Sequence, residues 1–174
     1  MSLIYMVEHT IALPHIEEEW SEWVTSYLRS LLEVPGIRTI QRFKVQGSKP
    51  ARYLSMHNLA SADVFESVPY KSRGGGGNAS ARFRPAYQSW TRNLFDAALP
   101  APAVQSSEVL FVLDASSPRG PQYDWMPAVG LHMSTPFRGL AIAPANAVAA
   151  SGKAELCAAT LYTPLSPQWK SNWT

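Results

Sequence analysis

The chain has a single cysteine, Cys157, among 174 residues, which excludes an intrachain disulfide and any cysteine-built metal cluster. It is also short of charge. Only 16% of residues are charged, and 15 basic against 13 acidic side chains leave a net charge of +2. That balance makes no basic footprint for nucleic acid or an anionic membrane surface. No apolar run approaches the roughly 20 residues that span a bilayer. The opening stretch MSLIYMVEHT lacks a basic start and a long apolar core, so no signal peptide is expected and a cytoplasmic protein follows. His9, His15, His57 and His132 form no His-x-x-x-His or His-Glu-x-x-His motif, so neither metal nor cofactor is expected. A Gly-x-Ser-x-Gly elbow is missing too, which argues against a hydrolase of that type.

What is present is a chain 46% hydrophobic, long enough for one large domain or two half-domains. LIYMVEHTI alternates as a strand, with Tyr5, Val7, His9 and Ile11 on one side. Pro14 then opens a helix, and Ile16, Trp20, Trp23, Val24, Tyr27, Leu28 and Leu31 make one apolar stripe along it. Pro35-Gly36 ends it. IRTIQRFKV and RYLSMHNL read as two further strands, joined by a hairpin. Ser61 is placed to cap a short helix through ADVFESV. SARFRPAYQSW reads as helical, and TRNLFDAAL as a fourth strand or a continuation of that helix.

Strand, helix, strand, strand, helix, strand is the ferredoxin-like order: an antiparallel sheet with its helices on one face, in the α+β class. The other, partly apolar face is expected to meet a second sheet, from the rest of this chain or from a partner.

Three stretches carry a family resemblance: WSEWVTSYLRSLLEVPGIRTIQRF, RYLSMHNL, and ESVPYKSRGGGGNASARFRPAYQSWTRNLFD. Together they resemble the dimeric α+β barrel proteins of the EthD-like kind, over about the first 100 residues. The Val-Pro-Gly helix exit and its spacing to Arg42-Phe43 are the informative part. The resemblance implies sheet-to-sheet barrel packing, a homodimer, and a small apolar or aromatic ligand. Members of that family often carry a histidine eight residues before the proline; Tyr27 stands there in this chain, so that histidine's function does not transfer.

The organisation expected is a ferredoxin-like module over 1–99, a linker over 100–108, and a degenerate second half over 109–174 packed on the first or on a partner. VLFVLDA, FRGLAIAPA and ELCAATLYTPL read as strands of that half, and YDWMPAVGLHM as a short, poor helix broken by Pro127 and Gly130. Cys157 reads as a small core residue. The tail SPQWKSNWT carries two tryptophans and is expected to dock on the body.

Two features invite a functional reading. SRGGGGNAS suggests a phosphate cradle, but no strand precedes it and the lysine such a loop needs after its last glycine is absent. It reads as a slack surface connection, at most the lip of a pocket. The second feature is the pair His9 and His57. Adjacent antiparallel strands bring them to one sheet face near Tyr5, Tyr53 and Arg42, where an imidazole suits acid–base work and the other three suit a ligand. The plainer reading is that both histidines bond neighbours in a packed interface. Two functions stay open: a small-molecule pocket on the open sheet face for an aromatic or polyketide-like compound, with turnover undecided, or a non-catalytic accessory module.

Overall fold

A computed structural model describes residues 2–150 and 158–173. Strand β1 (Ser2–Ile11) is followed by helix α1 (Pro14–Leu31), then β2 (Ile37–Lys44) and β3 (Ala51–Leu59). A 3-10 turn at Ala62–Glu66, helix α2 (Val68–Ser72) and further 3-10 turns lead into β4 (Tyr87–Ala97). The remainder gives β5 (Glu108–Ala115), β6 (Asp124–Leu131), β7 (Phe137–Pro144), α3 (Ala145–Ala150), β8 (Thr160–Pro164) and β9 (Trp169–Lys170).

Neighbouring strands run β2-β3-β1-β4-β6-β7-β5-β8, and β8 pairs back onto β2. Every pairing is antiparallel, so eight strands close a barrel within one chain. The order β2-β3-β1-β4 of the first half recurs as β6-β7-β5-β8 in the second. The seam between β8 and β2 is short, with Phe43 opposite Pro164 and Lys44 opposite Thr163.

Alternation along the strands sorts side chains into three clusters, one in the lumen and two outside it, the smaller around Val109, Phe111 and Tyr123. Ile4, Met6, Phe43, Leu54, Met56, Phe95, Leu110, Val112, Met126, Leu140 and Tyr162 fill the barrel lumen. Tyr5, Val7, Ile40, Tyr53 and Leu94 face outward, against Trp20, Val24, Leu28 and Leu31 of α1. The helix forms because Pro14 suits its first turn and its buried residues recur at intervals of three and four. It leaves through Gly36, whose φ is +93° and where a Cβ would stand 2.6 Å from Val64; only glycine fits.

Polar groups in the lumen are paired, as burial requires. Gln41 donates to the carbonyls of Val104 (2.7 Å) and Ser166 (3.0 Å) and accepts from the Val104 amide. Asn58 accepts from the Ala101 amide at 2.6 Å. These two amides pull the segment between β4 and β5 across one end of the barrel. Arg138, almost fully buried, pairs with Glu8 (2.8 Å) and Asp114 (2.7 Å), and Tyr162 also donates to Glu8.

Three sequence expectations change. YDWMPAVGLHM holds strand β6, not a helix. Its burial alternates, and a register irregularity opposite Leu94 and Phe95 accommodates the irregular stretch after Pro127. The helix expected over SARFRPAYQSW is a 3-10 segment, Ala81–Ala86, and Tyr87 already starts β4. A bulge explains the deception: Ile11 pairs with Tyr87 and Thr10 with Ser89, so Gln88 is the extra residue. Tyr87, Trp90 and Leu94 thereby share a face at intervals that mimic a helix. The tail docks only in part. β9 pairs Trp169 with Ile40, while Trp173 is 55% exposed. Cys157 lies outside the described residues.

Candidate functional site

The pairing of β1 with β3 sets Tyr5 opposite His57 and His9 opposite Tyr53. All four, with Arg42 of β2, lie on one face of the sheet, but it is the face beneath α1. The open face lines the lumen instead, which side chains fill except for a cavity of about 200 Å³ beside Ile4, Ala97, Met126 and Leu140, and none of the five residues lines that cavity. The parity is dictated by Val7 and Ile11, apolar residues in step with Tyr5 and His9 that must meet the helix.

Beneath α1 the five residues separate into two groups. Tyr53 and Arg42 tether the helix. Arg42 donates to the Ser21 carbonyl (3.0 Å), to the Ser21 hydroxyl (3.3 Å) and to the Thr25 hydroxyl. Burial lowers its pKa to about 10. The Tyr53 hydroxyl donates to Glu17, which also pairs with Lys44 at 2.7 Å. Hydrogen bonds from Lys44 and Tyr53 hold the Glu17 carboxyl below its usual range. Neither Tyr53 nor Arg42 lines a cavity beneath the helix.

Tyr5, His9 and His57 do. They line a cavity of about 50 Å³ together with Tyr27, Tyr70, Trp90, Gly76 and Gly77. His57 is 1% exposed and its ring lies 5.0 Å from that of Tyr5. Its Nε2 is 3.0 Å from the Ser55 hydroxyl, and its Nδ1 has no hydrogen-bond partner among the described residues. Burial lowers its pKa to about 3. His9, ringed by Trp20, Tyr87 and Trp90, is also lowered to about 3, by burial first and by the charge of Arg42 second. Both imidazoles are neutral at pH 7.

The glycine run is the cavity's lip, and it is packed rather than slack. Gly75 is buried, and a Cβ there would stand 2.3 Å from the Tyr70 ring. On Gly77 a Cβ would meet Trp90 at 2.5 Å. The Gly76 amide donates to the Tyr70 hydroxyl (3.1 Å), and Tyr27 donates to the Gly74 carbonyl (3.4 Å). Gly74, Gly76 and Gly77 all have φ between 73° and 93°, where a side chain is strained. The glycines are there so that backbone can lie flat against aromatic rings.

Sequence reasoning missed Tyr70, Trp90 and Arg92. Trp90 was findable in principle, since it pairs with His9 across β1 and β4; the bulge hid it. Arg92 donates through Nε to the Tyr5 hydroxyl at 2.8 Å. Among the described residues no group of three His, Cys, Asp or Glu side chains is placed to hold a metal ion. No described helix is long and apolar enough to cross a membrane.

The sequence matches no protein-family profile and no curated protein. Its fold does match solved structures. An anthrone oxidase-like protein superposes with a TM-score of 0.64 at 11% identity, covering 98% of this chain and 94% of that one. A candidate monooxygenase from Fusobacterium nucleatum gives 0.60 at 7% identity, covering 99% and 95%. Another from Lactobacillus acidophilus gives 0.57 at 8%, covering 98% and 97%. At such identities the likeness is one of fold alone.

Proposed function

We propose that this protein binds a small aromatic molecule in the cavity between α1 and the sheet and oxidises it, as the names of its structural neighbours suggest. The observation that carries the reading is His57: a buried, neutral imidazole on the cavity wall whose Nδ1 is unpaired among the described residues. A buried polar atom left unpaired costs about 1–3 kcal/mol, so its presence at a cavity favours a ligand that pairs with it.

Chemistry to match begins at an activated C–H bond. The imidazole takes the proton, the carbanion passes electrons to O₂, and a CH₂ group becomes C=O with release of one water. An imidazole whose pKa has fallen to about 3 is a weak base in the empty site. It accepts a proton readily only where the anion so formed stays beside it and offsets the burial of the new charge. Tyr5 and Ser55, which touch the ring, keep its orientation. At about 50 Å³ the cavity is smaller than the roughly 300–1,000 Å³ usual for a drug-sized ligand. Binding therefore moves the glycine lip or α1 outward.

On the sequence resemblance we place the chain with the EthD-like kind, with His57 in the role that Tyr27 cannot fill. The two halves, with their matching strand orders, are a duplicated module split near residues 100–108. A homodimer, which the resemblance also implies, would form through outer surfaces because the barrel is already closed.

A second reading, a non-catalytic scaffold, is favoured by the largely filled lumen. The two separate on one experiment: oxygen uptake with anthrone as probe, in the wild type and in His57→Gln. The oxidase reading expects uptake that falls at least about tenfold in the variant, with stability changed by under about 1 kcal/mol. Absence of uptake and of binding in the wild type, or unfolding of the variant, leaves the scaffold.

A further inference from the structure

We infer that the molecule taken by this cavity is an aromatic carboxylate, its anionic group held at the lip by Arg92 and Arg84. The inference rests on the cavity reading above and goes beyond it in naming the ligand's charge.

Arg92 sits opposite Val7 in the pairing of β4 with β1, so it emerges on the cavity side of the sheet. Its Nε is engaged by the Tyr5 hydroxyl, and its guanidinium lies 5.7 Å from the Tyr5 ring, 5.8 Å from Trp90 and 6.0 Å from Phe65. Its Nη1 is 4.0 Å from where a Cβ would stand on Gly76. Arg84 approaches the same lip at the next residue: its Nη2 donates to the Gly77 carbonyl at 3.1 Å, and its guanidinium lies 5.7 Å from the Trp90 ring. Two guanidinium groups thus meet one indole and one glycine pair at the edge of the cavity.

Neither has a carboxylate partner among the described residues. The described ion pairs take up Lys44, Lys71, Arg73, Arg82 and Arg138, and leave Arg84 and Arg92 out. A guanidinium has five N–H donors, so each has donors beyond those it gives to Tyr5 or the Gly77 carbonyl, and a carboxylate at the lip would accept from them. Guanidinium matches a carboxylate through parallel N–H donors. Behind the lip the walls are apolar or aromatic: Val7, Val24, Leu28, Leu31 and Trp90. A carboxylate outside and a ring within suit those parts; a fully neutral hydrocarbon would make no use of the remaining guanidinium donors.

The test compares 2-naphthoate with its neutral counterpart 2-naphthamide, by tryptophan fluorescence titration and by NMR of the His57 imidazole. In the wild type the carboxylate is expected to bind at least about tenfold tighter, the advantage of a charge-assisted over a neutral hydrogen bond. That preference is expected to collapse in Arg92→Gln and to shrink in Arg84→Gln. The second variant alters an exposed side chain, so it reads the same quantity even if the first disturbs Tyr5. Equal affinity for both compounds, with the His57 signals shifting, overturns the carboxylate inference and leaves the cavity reading standing. So does a preference that survives both substitutions. If neither compound binds and the His57 signals stay put, the cavity reading falls and this inference with it.

Discussion

Burial gives His57 a measurable signature apart from any ligand. Its pKa is about 3 in the folded chain against an ordinary 6.5, so between those values the unfolded chain binds a proton that the folded one refuses. Stability is therefore complete above about pH 6.5 and is lost as pH falls toward 3, approaching about 1.4 kcal/mol per pH unit for one such group. His9, lowered to the same value, adds a contribution of the same sign. Urea denaturation between pH 6.5 and pH 5 is expected to show this slope in the wild type, and His57→Gln to remove about half of it, His9 supplying the rest. An identical slope in the variant would mean that His57 is solvated. The sequence brought Tyr5, His9 and His57 together correctly, because strand parity depends only on local alternation. It misassigned their face, since parity alone does not say which side a helix covers.

At the scale of elements, the glycine segment shows how far composition misleads. Four glycines in a row, Gly74–Gly77, read as slack chain, yet they are pressed against Tyr70 and Trp90. The signal was present only in the distant rings, which no local window contains. Gly77→Ala is expected to cost about 1–2 kcal/mol from the left-handed backbone alone, and more from the contact with Trp90. Chemical denaturation checks it; a change under about 0.5 kcal/mol would restore the slack reading. Strand β6 teaches a related lesson. Pro127 and Gly130 break a helix, and the alternation around them already had a strand's period. Helix α1 was legible throughout, because its stripe is long and its stop, Pro35-Gly36, is local.

For the whole molecule, closure was the part beyond reach of sequence. The joins β4 to β6 and β8 to β2 pair residues far apart in the chain over few positions, too little for any periodicity to mark. The order of strands in the first half, by contrast, followed from four readable elements. Closure within one chain also removes the uncovered sheet face that would have required a partner. Light scattering in solution tests the homodimer proposed above: the mass of two chains is expected, through an interface on the outer surface, and the mass of a single chain would remove it.

The strap between β4 and β5 carries a consequence for synthesis. Gln41 and Asn58 have their partners at Val104 and Ala101, and the lumen faces of β1 to β4 have theirs on β5 to β8. A ribosome delivers these groups in sequence. While the second half is still being made, Ile4, Met6, Phe43, Met56 and Phe95 lie on a sheet with nothing opposite. The nascent first half is therefore a sticky intermediate that a holding chaperone would recognise. Its exposure ends only when β8, which brings the last lumen side chain, Tyr162, has left the exit tunnel.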